Sequence, residues 1–456
     1  MKKLPFFFLF IGLICVSFGQ KKPQGFFKAG SRVCFVGNSI TNNGGFYHDV
    51  FLYHVTRFPD EQITFYNCGI SGDVAEGVLK RMKDDVFIHR PTHIALMLGM
   101  NDVQRSLYGG KTTTDADTLQ RREDAISSYQ KNMERVLDLV LSGNIKVILQ
   151  KPTIFDQTVN LSVPNNLGVN DALKTCAEFI GELADRHGLP VVDYWTILEQ
   201  VNRTIQKKNP TVTVTGPDRV HPGAIGHFIM AYQFLVAEQA PSYVSKIVIK
   251  EDRPVKCLNA EISGLSKTED QLVFSVFENS LPFPLTEEQE KAARLVPFNP
   301  KFNLQILQVC DLEKGTYTLT IDEQVIGSFS EKHLRSGINL AEYKNTPQYL
   351  QAIDVRERLT RLWQVEASLR GLKFIEYNPF YQNFPAKENP TLLKAHLDSV
   401  FTEKYSSHTN YYKTQLSKYM SNKPRENDLN SEAALIRGQV YRMAQPRCHL
   451  YSLKKN

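Results

Sequence analysis

Zinc-type Cys/His spacings and CxxC pairs are both missing from this chain, and its 7 cysteines are scattered across 456 residues. A structural zinc or a thioredoxin-like redox pair therefore has no ligand set. The wide separation of Cys34, Cys68, Cys176, Cys257, Cys310 and Cys448 also excludes a small disulfide-stapled scaffold. His89 and His93 lie four apart, but Pro91 between them breaks the helix that would aim both at one metal. No metal and no organic cofactor is expected. Lys and Arg never cluster with interleaved aromatics, which removes nucleic acid from the expected partners. The formal charge of +6 is mild for this length. Beyond the N-terminus no apolar run is long enough to cross a bilayer, and there is no internal repeat or low-complexity tract.

The N-terminus itself reads as a secretory signal over residues 1–19. Lys2 and Lys3 form a basic start, Phe6 to Val16 an apolar stretch, and Ser17-Phe18-Gly19 a small-x-small cleavage site before Gln20. The mature chain is expected to be exported, to a periplasm or beyond, without stable insertion in the membrane. A lipoprotein anchored at Cys15 is the competing reading. Ile14 stands where a small residue would precede such a cysteine, which disfavours it.

A chain of 456 residues is too long for one core, and 42% apolar content supplies several. From about Gly30 to Glu238, short apolar runs alternate with helical periodicity. The runs are Arg32–Val36, Ile63–Asn67, His93–Leu98, Ile145–Gln150 and Pro190–Asp193. Between them, Tyr47, Val50, Phe51, Val55 and Phe58 share one helix face, as do Tyr129, Met133, Val136, Leu137 and Val140. Near-continuous apolar strands between amphipathic helices predict a parallel sheet covered on both faces. The fold class is α/β: a three-layer α/β/α, flavodoxin-like domain with a five-stranded parallel sheet over 28–240. After Pro241 the pattern becomes β-rich, predicting a small sandwich-like domain over 241–345. Its strands are Val244–Lys250, Gln271–Phe277, Phe302–Val309 and Thr316–Ile321, the last in a hairpin with Val325-Ile326. A helical C-terminal region is expected over 346–456. It carries a Val355, Leu359, Leu362, Leu369 stripe, one long helix from Leu392 to Tyr419, and a loose polar tail after Lys423.

In open α/β sheets, sites form beyond the carboxyl ends of the strands. Ser39 directly follows the first strand, where a hydroxyl can be a nucleophile once a base takes its proton, or can merely cap a helix. His221, with Asp218 three residues earlier and Pro222 opening the last helix, is the base candidate. The carboxylate would hold one imidazole nitrogen and leave the other for Ser39. Gly72, after the second strand, can bring a backbone N–H close to a substrate. Asn101, after the third strand, offers a side-chain amide to a carbonyl oxygen turning negative. Each taken alone has a bland reading as turn glycine, helix cap or surface histidine. Tyr108, Tyr194 and Trp195 are either stacking platforms for a sugar or core aromatics, and Ser106 to Thr118 is a candidate rim of the cleft.

Four blocks fall in order on one sheet edge: Gly37-Asn38-Ser39-Ile40-Thr41, Ile70-Ser71-Gly72-Asp73, Gly99-Met100-Asn101-Asp102 and Asp218-Arg219-Val220-His221-Pro222. Through them, residues 30 to 238 resemble the SGNH (GDSL-type) hydrolases. The resemblance implies Ser39 as nucleophile, His221 as base and Asp218 as its orienting acid. It also implies an oxyanion hole of the Ser39 N–H, the Gly72 N–H and the Asn101 amide. Asn38 departs from the Asp of the GDSL name, so local hydrogen bonding before Ser39 is expected to differ. The implied activity is a serine esterase removing a small acyl group, most simply acetyl, from a carbohydrate through an acyl-enzyme, with an ester-bearing small molecule or polysaccharide as substrate. A lipase or lysophospholipase, a non-catalytic carbohydrate-binding protein and a glycosidase on the same fold are the alternatives. The chain's second half lies outside the resemblance.

Overall fold

The computed structural model describes residues 25–109 and 113–456. The signal segment 1–19 and Cys15 lie outside the described residues, as does part of the 106–118 rim. Five strands build the first sheet: β1 Arg32–Gly37, β2 Thr64–Gly69, β3 His93–Met97, β4 Lys146–Gln150 and β5 Val191–Val192. They pair in parallel in the order β2-β1-β3-β4-β5. That order reverses direction at β1 and β3, creating a crevice at their carboxyl ends.

The two faces of β1 show why both are covered. Phe35 meets Phe46, Tyr47 and Phe234 from the helices Gly45–Arg57 and Ala224–Ala237. Its neighbour Cys34, pointing the opposite way, reaches the Val86 carbonyl on the other side. The helices Ala116–Ser142 and Val169–His187 pack together beside β4. The helix Gly45–Arg57 buries almost its entire circumference, not the single face expected from its periodicity. A long helix, Pro347–Glu376, covers its outer side, and a helix packed on two sides must be apolar on both.

Two further sheets follow. The strands are β6 Tyr243–Lys250, β7 Arg253–Leu258, β8 Ala260–Lys267, β9 Gln271–Glu278, β10 Leu304–Val309, β11 Thr316–Ile321, β12 Gln324–Ser330, β13 Ile338–Asn339 and β14 Cys448–Lys455. One sheet runs β13-β10-β6-β7, the other β12-β11-β14-β9-β8. Inward residues of both, among them Ile247, Leu307, Phe274, Leu319 and Tyr451, share one core, so the sheets form a sandwich. Its central strand β14 comes from the last residues of the chain, and the sandwich is thus discontinuous in sequence. The tail after Lys423 is accordingly not loose: it forms the helix Glu426–Met443 and then β14. The helix expected over Leu392–Tyr419 is two, Pro390–Lys404 and Thr409–Asn422, broken at Ser406–His408.

The helix Pro347–Glu376 does not stand apart. Its Val355, Leu359 and Leu362, with Ala433, Ile436 and Val440 of the helix Glu426–Met443, belong to the same apolar core as the first sheet. Replacing fully buried Leu359 by Ala is expected to cost about 2–5 kcal/mol by loss of packing and residual cavity. Chemical denaturation followed by circular dichroism should show one lowered transition for sheet and helices together. A separate early transition of the C-terminal helices would contradict the shared core.

Candidate active site

Gly37 ends β1 at a place where a Cβ would stand 2.3 Å from Thr41 Oγ1 and 2.5 Å from the Met97 carbonyl oxygen. Only glycine lets the chain turn this tightly against β3. Asn38 is buried and extended, and its side-chain oxygen accepts the Ile40 N–H at 3.1 Å, capping the short helix Ser39–Asn43. The amide that replaces the GDSL aspartate thus serves as a helix cap. Ser39 is held at the sheet edge as the first residue of that helix.

The base comes from the loop before the helix Ala224–Ala237. Gly216 N–H bonds the His221 carbonyl, and Thr215 bridges Pro222, closing the loop. Asp218 Oδ1 accepts the backbone N–H groups of Val220 and His221, each at 3.0 Å, while Oδ2 lies 2.5 Å from His221 Nδ1. Burial alone would raise the Asp218 pKa. The hydrogen bonds from His221 and Val220 outweigh it and hold the carboxyl well below the usual carboxylate range. With Nδ1–H donated to Asp218, Nε2 is left to accept, and it sits 2.7 Å from Ser39 Oγ. Hydroxyl, imidazole and carboxylate therefore form a continuous hydrogen-bonded line.

Two buried residues fasten this loop and the helix that follows it. Arg219, at φ 66, is buried and spreads its guanidinium over the carbonyls of Asp156, Val159, Leu161 and Val163 at 2.9–3.2 Å. Its place between Asp218 and His221 was the available signal. His227, buried on the helix Ala224–Ala237, accepts the Phe46 N–H at 3.2 Å and ties that helix to Gly45–Arg57.

Gly72 sits in a turn whose Asp73 N–H bonds the Ile70 carbonyl at 3.1 Å, with φ +84 at Gly72 itself. This is the third position of a type II turn, where glycine is favoured. Asn101 Nδ2 donates one hydrogen to the Asp73 carbonyl at 3.0 Å, leaving the second free for a ligand. Arg105 orients the amide from Oδ1 at 3.1 Å. Asp102 holds Gly99 N–H at 2.9 Å and Ala75 N–H at 2.7 Å, joining the loops after β3 and β2. Burial pushes its carboxyl up to about 6 against those two donors. Gly72 and Asn101 are thereby coupled through Asp73, while Ser39 and His221 are coupled directly.

The turn is tied to β1 and to the C-terminal half by buried charges. Arg81 bonds Asp73 at 2.7 Å, Asp85 at 2.5 Å and the Gly37 carbonyl at 3.3 Å. Arg370 clamps Asp85 with two bonds of 2.8 Å and reaches the Gly69 carbonyl at 2.9 Å. Burial would raise the Asp85 pKa, but two guanidiniums outweigh it and hold the carboxyl well below its ordinary value. Asp73 has one arginine, and there burial prevails and its pKa rises.

Tyr194 and Tyr108 are buried; one donates to Gln150 and the other lies under Arg122, so neither is a platform. Trp195 is partly buried against the core. Cys34, Cys68 and Cys176 are buried and lie outside any disulfide. His89 stacks on Tyr66 while His93 contacts Thr92. Among the described residues no three His, Cys, Asp or Glu side chains gather to hold a metal, and no helix is long and apolar enough to cross a membrane.

A depressed carboxylate pKa contributes stability that is complete above the unfolded value, near 3.9, and is lost as pH falls below about 4. Arg370→Met should lower stability by about 3–5 kcal/mol at pH 7, because Asp85 keeps its burial and loses a partner. The gap between wild-type and variant melting temperatures should narrow as pH drops below about 4. A gap unchanged between pH 7 and 3 would contradict the pairing.

Residues 35–229, which span Ser39, Gly72, Asn101, Asp218 and His221, match the GDSL-like lipase/acylhydrolase family. An acetylxylan esterase from Geobacillus stearothermophilus is 24% identical over 223 residues, covering 45% of this chain and 93% of that protein. Among solved structures, a gut microbial diltiazem-metabolizing enzyme is 27% identical with a TM-score of 0.84, covering 95% of this chain and 99% of that one. The likeness thus extends over the sandwich and the C-terminal helices. Over residues 35–229 the chain is thus similar to the GDSL-like lipase/acylhydrolase family, and these likenesses support an ester-bond hydrolase that carries a large C-terminal half beyond the family match.

Proposed function

We propose that the protein is a serine esterase that removes a small acyl group, acetyl in the simplest case, from a carbohydrate, and that it acts after export. The observation that carries the reading is the 2.7 Å contact of Ser39 Oγ with a His221 whose other nitrogen is held by Asp218. In this mechanism Ser39 Oγ attacks the acyl carbon and its proton passes to His221 Nε2. The carbonyl oxygen, now negative, is received by the N–H groups of Ser39 and Gly72 and by the free hydrogen of Asn101 Nδ2. The bond to the sugar oxygen breaks and that oxygen takes the proton from His221, leaving an acyl-Ser39. Water then gives a proton to His221 and attacks the acyl carbon. The acid departs, and Ser39 Oγ regains the proton.

The acetylxylan esterase relative supports acetyl as the acyl group and a sugar as the alcohol. A second reading, a small non-carbohydrate ester, is favoured by the neighbour that covers nearly the whole chain and metabolizes diltiazem. The alcohol, not the acyl transfer, separates the two.

Ser39→Ala should reduce turnover of a short acetyl ester by at least about 10⁴-fold, with its circular dichroism unchanged. Asn101→Ala should cost about 10²–10³-fold in kcat, the value of one oxyanion donor. Acetate release from acetylated xylan, acetylated oligosaccharides and diltiazem measures the alcohol preference. Faster release from the saccharides supports the carbohydrate reading, and a preference for diltiazem replaces it with the second. Retained turnover in Ser39→Ala would end both.

A further inference from the structure

Ser39 and His221 lie on an open rim, where the Asp218 and His221 side chains are 50% and 43% exposed. A cavity that neither of them lines opens beside the loop after β2. It holds about 800 Å³, starts at the Ile70–Asp73 turn, and is closed by residues 374–387 of the C-terminal half. That volume lies within the roughly 300–1,000 Å³ of small-molecule sites. Gly72 belongs to both places: its N–H serves the reacting carbonyl in the proposed mechanism, and no atom lies within 4 Å of where its Cβ would stand. An ester held at Ser39 therefore has room to extend past Gly72 into the cavity.

The lining chemistry narrows what would extend there. Asp73, Asp84 and Glu376 are matched by Lys80, Arg81 and Lys387, so the wall carries no net charge to select an ion. The wall from the C-terminal half includes Tyr377, Tyr381, Gln382 and Asn383, with the Gln382 amide also donating to the Glu376 carbonyl. Tyr381 is braced from behind by Tyr419, hydroxyl to hydroxyl at 3.3 Å, with Lys387 Nζ 5.9 Å from its ring centre. A fixed aromatic face suits the C–H face of a sugar ring, and amides suit its hydroxyl edge. The wall is positioned against the turn by Arg370, which reaches the Gly69 carbonyl from the helix that ends just before it.

We propose that this cavity is the subsite for the alcohol part of the substrate and that it takes a neutral oligosaccharide, with the C-terminal half supplying one wall. The inference rests on the carbohydrate-ester reading above.

Binding tests it separately from catalysis. Xylotriose, cellotriose and mannotriose, none of which carries an ester, are titrated calorimetrically into the full chain. Saturable binding of at least one is expected, weakened about tenfold in Tyr381→Ala and in the double variant Gln382→Ala/Asn383→Ala. The double variant alters exposed side chains, so a folding defect in Tyr381→Ala does not remove the test. The ratio of kcat/KM for acetylated xylotriose to that for p-nitrophenyl acetate should fall by a similar factor. No saturable binding, or affinities and ratios within threefold of the parent, would overturn the subsite. Retained turnover of p-nitrophenyl acetate in Ser39→Ala would instead overturn the esterase reading, with the binding result still deciding the cavity.

Discussion

One hydrogen bond joins residues 182 positions apart: Ser39 Oγ to His221 Nε2. Neither partner is useful alone, since a serine hydroxyl is a poor nucleophile without a base. The bond exists because β1 lies between β2 and β3 in the sheet, so the loops leaving these strands emerge at one edge. The last helix of the first domain then returns the base loop to the same edge. Small constraints set the alignment. Gly37 lets the chain approach β3, Arg219 nails the base loop to four carbonyls, and His227 fastens the last helix to Phe46 N–H.

The C-terminal half is part of this arrangement. Its long helix buries the outer side of the helix Gly45–Arg57 and sends Arg370 inward to Asp85 and Gly69. A buried arginine with a bidentate carboxylate is directional, and loss of one member leaves an uncompensated charge. The same charges touch the Gly72 turn through Arg81 and Asp73. Elements more than 280 residues apart in sequence thus share a single network with the strand that leads to Ser39.

Much of the first domain was legible in the sequence for a physical reason. Buried parallel strands are apolar runs, and the helices between them keep a 3.6-residue period, so all five strands were found to within two residues at either end. The candidate site was legible because Ser39, Gly72 and Asn101 each follow a strand in a short motif, and Asp218 and His221 share one just before the last helix of the first domain. The second half yielded less. β7 carries Pro254 and mostly exposed side chains, and β8 is interrupted at Gly264, so neither edge strand alternates cleanly. β14 does alternate, but an inward His449 disguises the pattern as a polar tail. No motif in the sequence marks Arg370 or Tyr381. Their roles depend on contacts across hundreds of positions, which no local period encodes.

The central claim is that Ser39 is made nucleophilic by His221. A fluorophosphonate that phosphonylates activated serines with loss of fluoride, followed by mass-spectrometric peptide mapping, tests it most directly. The account predicts one adduct per chain, on Ser39, that forms in step with loss of ester turnover and is absent from a His221→Ala variant. A modification at another residue that abolishes turnover, or labelling of Ser39 that is indifferent to His221, would contradict it.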